Sequence, residues 1–142
     1  MISLYLDMRK IFSQFLVLLC FLPSLTIASM SQADIDKILT KPIVLSEKQS
    51  TFNIELPVDS TDGYRWFLVS PEYGYVNAVK FTHESIDIEN SKWGGVDKFK
   101  FTSKKEFKDV PQKIVLSFEC FRPFEKNAIV IKKDITILST SG

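Results

Sequence analysis

Thr51-Phe52-Asn53-Ile54-Glu55-Leu56-Pro57-Val58-Asp59-Ser60-Thr61-Asp62-Gly63-Tyr64-Arg65-Trp66-Phe67-Leu68-Val69-Ser70 is the stretch on which the fold turns. In its first part Phe52, Ile54 and Leu56 alternate with Asn53 and Glu55. In its last part Tyr64, Trp66 and Leu68 alternate with Arg65, Phe67 and Val69. A period of two is the signature of a strand that buries one face. Pro57 has no N–H to give to a ladder and closes the first strand. Asp59 to Gly63 are turn formers: Asp and Ser oxygens accept from nearby backbone N–H groups, and Gly63 takes positive φ without steric cost. Two strands, residues 51–56 and 64–70, are therefore expected around an exposed loop. A loop held at both ends by apolar strands is well placed to present side chains to a partner.

The same reading extends outward. Residues 43–45 form a short first strand. Pro71-Glu72-Tyr73-Gly74 is a turn, and residues 76–88 are extended, with Val79 and Phe81 in phase. Asn90-Ser91-Lys92-Trp93-Gly94-Gly95 is a second loop. Residues 98–102 alternate sharply, residues 108–111 turn, and residues 113–121 form a strong strand. Arg122 to Asn127 is a third loop, and residues 128–138 close the chain with isoleucine and valine. There is no repeat, low-complexity segment or internal linker. About seven short strands with turn signals every ~8–12 residues predict an all-β, immunoglobulin-like antiparallel β-sandwich. Trp66 is its expected core tryptophan. In such a sandwich the loops between the second and third, fourth and fifth, and sixth and seventh strands can crowd at one end.

A chain of 142 residues suggests one domain, and 45% hydrophobic and 13% aromatic content is ample for a core. At 25% charged residues the composition is that of an ordered globular protein. The first 28 residues have the form of a secretory signal peptide. Arg9 and Lys10 precede the apolar run 11–22, and Thr26-Ile27-Ala28 offers small residues for cleavage. Cleavage is expected after Ala28, with Ala33 as the second choice and an uncleaved anchor as the alternative. Bulky Leu19 before Cys20 argues against lipid attachment. Residues 29–41 form a lead with a weak helical pattern in Ile35, Ile38 and Leu39, read as a short turn or a frayed segment. The domain proper spans residues 42–142.

Loss of residues 1–28 removes Asp7, Arg9 and Lys10 and leaves 16 basic and 16 acidic residues. A chain with no net charge carries no footprint for nucleic acid or, once processed, for an anionic membrane. Lys104-Lys105 and Lys132-Lys133 read as solvated faces. The mature chain keeps only Cys120, in phase with Ile114, Leu116 and Phe118, which makes it a buried apolar thiol. A single cysteine forms no internal disulfide. The one histidine, His83, lies in a polar stretch and reads as a surface residue. One histidine without a carboxylate pair or metal-ligand cluster argues against an enzyme, and no cofactor is expected.

At this point three motifs carry a resemblance. Asp59-Ser60-Thr61-Asp62-Gly63-Tyr64-Arg65-Trp66 resembles the Asn-Pro-Thr-Thr-Gly-aromatic-x-Trp motif of the chagasin family of cysteine peptidase inhibitors. Lys92-Trp93-Gly94-Gly95, followed by Phe99 and Phe101, resembles that family's Gly-x-Gly-Gly loop and next strand. Arg122-Pro123-Phe124 resembles its Arg-Pro-Trp loop. The likeness covers residues 42–138. Thr61, Gly63 and Trp66 match the family pattern. Asp59 stands for Asn, Ser60 for Pro, Asp62 for the second Thr, Lys92 for the first Gly of the second loop, and Phe124 for Trp.

The resemblance implies an immunoglobulin-like fold and reversible, competitive inhibition of papain-like cysteine peptidases. The three loops would wedge into the cleft, with Thr61 near the catalytic pair. The implied binding residues are Asp59, Ser60, Thr61, Asp62, Gly63, Lys92, Trp93, Gly94, Gly95, Arg122, Pro123 and Phe124. Trp93 and Phe124 are expected as exposed anchors, and Arg122 as a residue that orders its own loop. Such a protein would be exported, periplasmic or secreted, and monomeric when free. The alternative is a non-inhibitory immunoglobulin-like module of the cell envelope.

Overall fold

The two strands of the opening stretch belong to different sheets. In the computed structural model, which describes residues 29–70, 74–86 and 93–140, seven strands form two layers. They are β1 (Ile43–Leu45), β2 (Thr51–Pro57), β3 (Arg65–Ser70), β4 (Val76–Ser85), β5 (Gly95–Ser103), β6 (Gln112–Phe121) and β7 (Ile131–Ser139). β2 pairs with β5, and β3 pairs with β6. The sheets have the orders β1-β7-β6-β3 and β2-β5-β4. Every pairing is antiparallel except β1 with β7. The orders β2-β5-β4 and β7-β6-β3 are those of an immunoglobulin sandwich, so the expected fold is present. The expected signal peptide, residues 71–73 of the turn after β3, residues 87–88 at the end of the expected extended stretch and residues 89–92, which include the first three of the second loop, lie outside the described residues.

The alternating apolar positions become the core. Phe52, Ile54 and Leu56 of β2 face Trp66 of β3, Phe99 and Phe101 of β5, and Ile114, Leu116, Phe118 and Cys120 of β6, all buried. Phe52 stacks on Phe101 at 5.1 Å between ring centres. Phe118 meets Phe99 edge-on at 5.0 Å. These are favoured aromatic geometries, so the layer gains contact energy beyond its area burial. A 3₁₀ turn at Lys105–Phe107 drops Phe107 into the same core. Some strand ends differ from the expected ones. β5 begins at Gly95, where the pairing with Ser85 starts. β7 begins at Ile131, where the pairing with Cys120 starts, and Ile129 and Val130 before it are exposed.

The N-terminal lead is not frayed. Helix α1 (Gln32–Asp36) is capped by Ser31, whose Oγ accepts from the N–H of Asp34 at 3.3 Å. Its Ile35 and the preceding Met30 are buried in the core. The Gln32 amide donates to the Lys132 carbonyl at 2.7 Å and accepts from the Lys132 N–H at 2.8 Å, so it caps this point of the β7 backbone. Lys133, expected on a solvated face, is buried instead, and its Nζ donates to the Ile35 carbonyl at 3.2 Å. It lies in phase with Ile131, Ile135 and Ile137, on the inward face of β7. The helix end supplies the acceptor that lets an ammonium sit there.

Candidate functional site

β2, β3, β5 and β6 deliver their loops to one end of the sandwich. The register shows it: Pro57 pairs with Val96, Ser85 with Gly95, and Arg65 with Phe121. The β2–β3 loop, residues 58–64, is held from within. Oδ1 of Asp59 accepts from the Thr61 hydroxyl at 2.8 Å and from the Asp62 N–H at 3.3 Å. The Asp59 carbonyl accepts from the Tyr64 N–H at 3.1 Å. Gly63 sits at φ +79° and makes the turn that a side chain would strain. The second and third loops brace this one. Val58 N–H donates to the Gly95 carbonyl at 2.9 Å, and the Ser60 hydroxyl to the Gly94 carbonyl at 3.2 Å. The Arg122 guanidinium lies over the Tyr64 ring at 5.2 Å and pairs with Glu125 at 2.6 Å.

The expected site residues thus divide by exposure. Thr61, Asp62 and Gly63 are exposed at the crest, as are Pro123 and Phe124. Phe124 has 101% of its reference surface in solvent. Gly63, Arg122, Pro123, Phe124 and Glu125 line a shallow depression of about 390 Å³. Asp59 is buried at 5% exposure, so its carboxylate holds the loop rather than facing outward. Ser60 and Arg122 are half-buried and also spend their polar atoms on the loops. Gly94 and Gly95 are buried. A Cβ on Gly95 would stand 2.8 Å from both Ser60 Oγ and His83 Cε1, so glycine is needed for the loops to meet. Lys92 lies outside the described residues.

Two expectations need correction. Trp93 is not an exposed anchor; it is half-buried and packs against the core. Gly94 at φ +70° turns the chain directly after it, and the large indole folds inward. His83 is not a free surface residue. Its Nδ1 lies 2.7 Å from Oδ1 of Asp97, a carboxylate with no exposed surface. Oδ2 of Asp97 accepts from the backbone N–H of Trp66 in the opposite sheet at 3.0 Å. One carboxylate therefore ties β5 to β3 and β4 directly beneath the loops. Reasoning from the sequence passed over Asp97, yet a signal was there: it is in phase with Phe99 and Phe101, and an inward carboxylate requires partners.

The Cys120 thiol is buried, and burial, with the nearby Asp97 charge, pushes it far above the ordinary thiol range, so it is no nucleophile. Ser85 Oγ lies 3.5 Å from His83 Nε2, at the long limit of a hydrogen bond. Among the described residues no group of three or more His, Cys, Asp or Glu side chains could hold a metal ion. What remains is a stiff crest of small polar residues beside one fully exposed aromatic. The fold and this loop end define an immunoglobulin-type sandwich with a preformed three-loop tip. No known protein family, curated protein or solved structure matches the chain.

Proposed function

We propose that this chain is an exported, reversible, competitive inhibitor of papain-like cysteine peptidases that fills the active-site cleft with its three-loop tip. The observation that carries this is the meeting, at one end, of the three segments that resemble the chagasin loops. A papain-like site is a thiolate–imidazolium pair in a groove. Its blocker needs no catalytic group, only a rigid crest that delivers a small polar residue to that pair. Thr61 is that residue. Its hydroxyl donates to Asp59, which leaves the oxygen lone pairs free to accept from the imidazolium. The internal hydrogen bonds of residues 58–64 keep the crest from adapting to the geometry of a scissile peptide. Preorganisation of this kind lowers the ordering cost of binding. Phe124 supplies the exposed apolar anchor. The free protein acts as a monomer and buries about 800 Å² of its own surface in the complex.

Incubation of the processed protein with papain and a fluorogenic peptide tests this. Competitive inhibition is expected, with the inhibitor intact after overnight incubation. Thr61→Arg should abolish it by clashing in the cleft, and Phe124→Ala should weaken it by about 2 kcal/mol, mostly through faster dissociation. Phe124→Ala should leave the melting temperature unchanged, and Thr61→Arg, which gives up the hydrogen bond to Asp59, should lower it by only a few degrees while the domain stays folded. An inactive wild-type protein, or clean scission within residues 59–63, would refute the mechanism.

A further inference from the structure

The sequence alone does not pair His83, the chain's one histidine, with a carboxylate. The fold does. β4 runs along β5 so that His83 stands opposite Asp97 and Ser85 opposite Gly95, and β4 is the free edge of the β2-β5-β4 sheet. Side chains two apart on a strand share a face, which brings Ser85 beside His83. Nδ1 of His83 lies 2.7 Å from Oδ1 of Asp97, and Nε2 lies 3.5 Å from Oγ of Ser85. A hydroxyl, an imidazole and a carboxylate thus stand in line, as a nucleophile, its base and the group that orients the base do.

The surroundings differ along that line. Asp97 has no exposed surface, and its Oδ2 accepts from the Trp66 N–H at 3.0 Å, so the carboxylate is fixed. Its Oδ1 takes the Nδ1 proton of the neutral ring, which leaves the Nε2 lone pair turned to Ser85. On its other side the ring meets Gly95, where a Cβ would stand 2.8 Å from His83 Cε1. The ring is 22% exposed and Ser85 is exposed, so a substrate can reach the hydroxyl while the carboxylate stays dry. A separation of 3.5 Å is long, but bonds of this kind tighten when substrate binds. An oxyanion donor is also at hand. The Ile86 N–H donates to the Gly94 carbonyl at 3.1 Å, and successive N–H groups of a strand point to opposite sides. The Ser85 N–H is therefore directed away from β5, off the free edge, on the nucleophile's own residue.

We infer that Ser85, His83 and Asp97 form a serine hydrolase site for small carboxylic esters. Ser85 Oγ attacks the ester carbonyl as its proton passes to His83 Nε2. The same proton goes to the departing alkoxide when the ester C–O bond breaks, leaving an acyl group on Ser85. Water repeats the sequence, giving its proton to His83 and releasing the carboxylic acid and the free serine. Ester and water become acid and alcohol, with nothing oxidised or reduced. Ser85 and His83 are the catalytic residues, and Asp97 is a positioning residue. The site lies open on a strand edge, which suits a short acyl group and a good leaving group. Neither Ser85 nor His83 belongs to the exposed crest, so this activity and peptidase inhibition stand or fall separately.

The test uses p-nitrophenyl acetate as substrate and an alkyl fluorophosphonate as label, with the labelled residue located by mass spectrometry. The wild-type protein should release p-nitrophenol and take up the phosphonate on Ser85 with loss of fluoride. Ser85→Ala, at an exposed position, should keep the melting temperature, lose the label and fall to the rate of buffer alone. Asp97→Asn keeps an acceptor for the Trp66 N–H but holds the ring in the wrong tautomer. It should lower kcat about 10²–10⁴-fold at an unchanged KM, with the domain still folded. A wild-type protein that is unlabelled, or labelled elsewhere, overturns the site. So does a Ser85→Ala variant that hydrolyses the ester as fast as wild type. If folded Asp97→Asn reacts at the wild-type rate, the carboxylate does not orient the base and the triad is overturned.

Discussion

Asp97→Ala removes the only carboxylate buried beneath the loops, among the described residues, that links the two sheets. The mutation strands the Trp66 N–H, which lies in the core with Asp97 Oδ2 as its acceptor at 3.0 Å. An unsatisfied buried donor costs about 1–3 kcal/mol. His83 also loses its partner, but it is 22% exposed and can turn toward water, so its share is about 0.5–1 kcal/mol. The sum is about 1.5–4 kcal/mol, overlapping the range of about 3–5 kcal/mol seen when one member of a buried pair is removed. Against a total of roughly 5–15 kcal/mol this is a large fraction. Asp97→Asn keeps an acceptor for Trp66 and should cost only about 1 kcal/mol. Urea unfolding followed by tryptophan fluorescence measures both, with an unchanged m-value as the check on two-state behaviour. Combining Asp97→Ala with His83→Ala should give a total smaller than the sum of the single costs, because both remove one interaction. If Asp97→Ala is no more damaging than Asp97→Asn, the Trp66 N–H is not what the carboxylate secures, and the reasoning fails.

The remaining predictions concern the core and its plugs. Trp66→Ala should cost about 3–5 kcal/mol, since Trp66 is 2% exposed and its Nε1 donates to the Pro57 carbonyl at 2.8 Å. Trp93→Ala, from a half-buried site, should cost less, about 1–2 kcal/mol; thermal unfolding of the two variants checks the order. Ile35→Ala should lose about 2–5 kcal/mol, and a chain beginning at residue 34 should be destabilised as well, because it lacks Met30, the Ser31 cap and the Gln32 bridge; calorimetry on the shortened chain would show it. Cys120 should resist a thiol reagent at pH 8 in the folded protein and react at once in denaturant, and fast labelling of the native protein would contradict its burial.

Period-two alternation was enough to read most strands, because it records burial, and burial is imposed locally on each residue of a strand. Phe52, Ile54 and Leu56, then Ile114, Leu116, Phe118 and Cys120, were legible as inward faces without any knowledge of their neighbours. Turn chemistry was equally local: Pro57 ends a strand, and Gly63 sits at the positive φ its turn demands. Pairing was not legible. Nothing in residues 51–70 says that β2 joins β5 while β3 joins β6, so that the intervening loop bridges two sheets and meets the two others.

The inward charges were the other blind spot. Asp97 and Lys133 each interrupt an apolar series, and alone an interruption reads as a solvated residue. Whether a charge can stay inside depends on partners that local pattern does not encode. Asp97 finds them 31 residues away at Trp66 and 14 away at His83, and Lys133 finds its acceptor 98 residues away at Ile35. Trp93 was misread for the same reason, since a loop tryptophan is exposed or covered according to what the other elements leave open beside it. The sequence by itself determined the strand faces and turns of this protein, where the cause lies within a few residues. Only the tertiary structure decided how its loops meet and how its buried charges are satisfied, because those depend on groups brought together from distant parts of the chain.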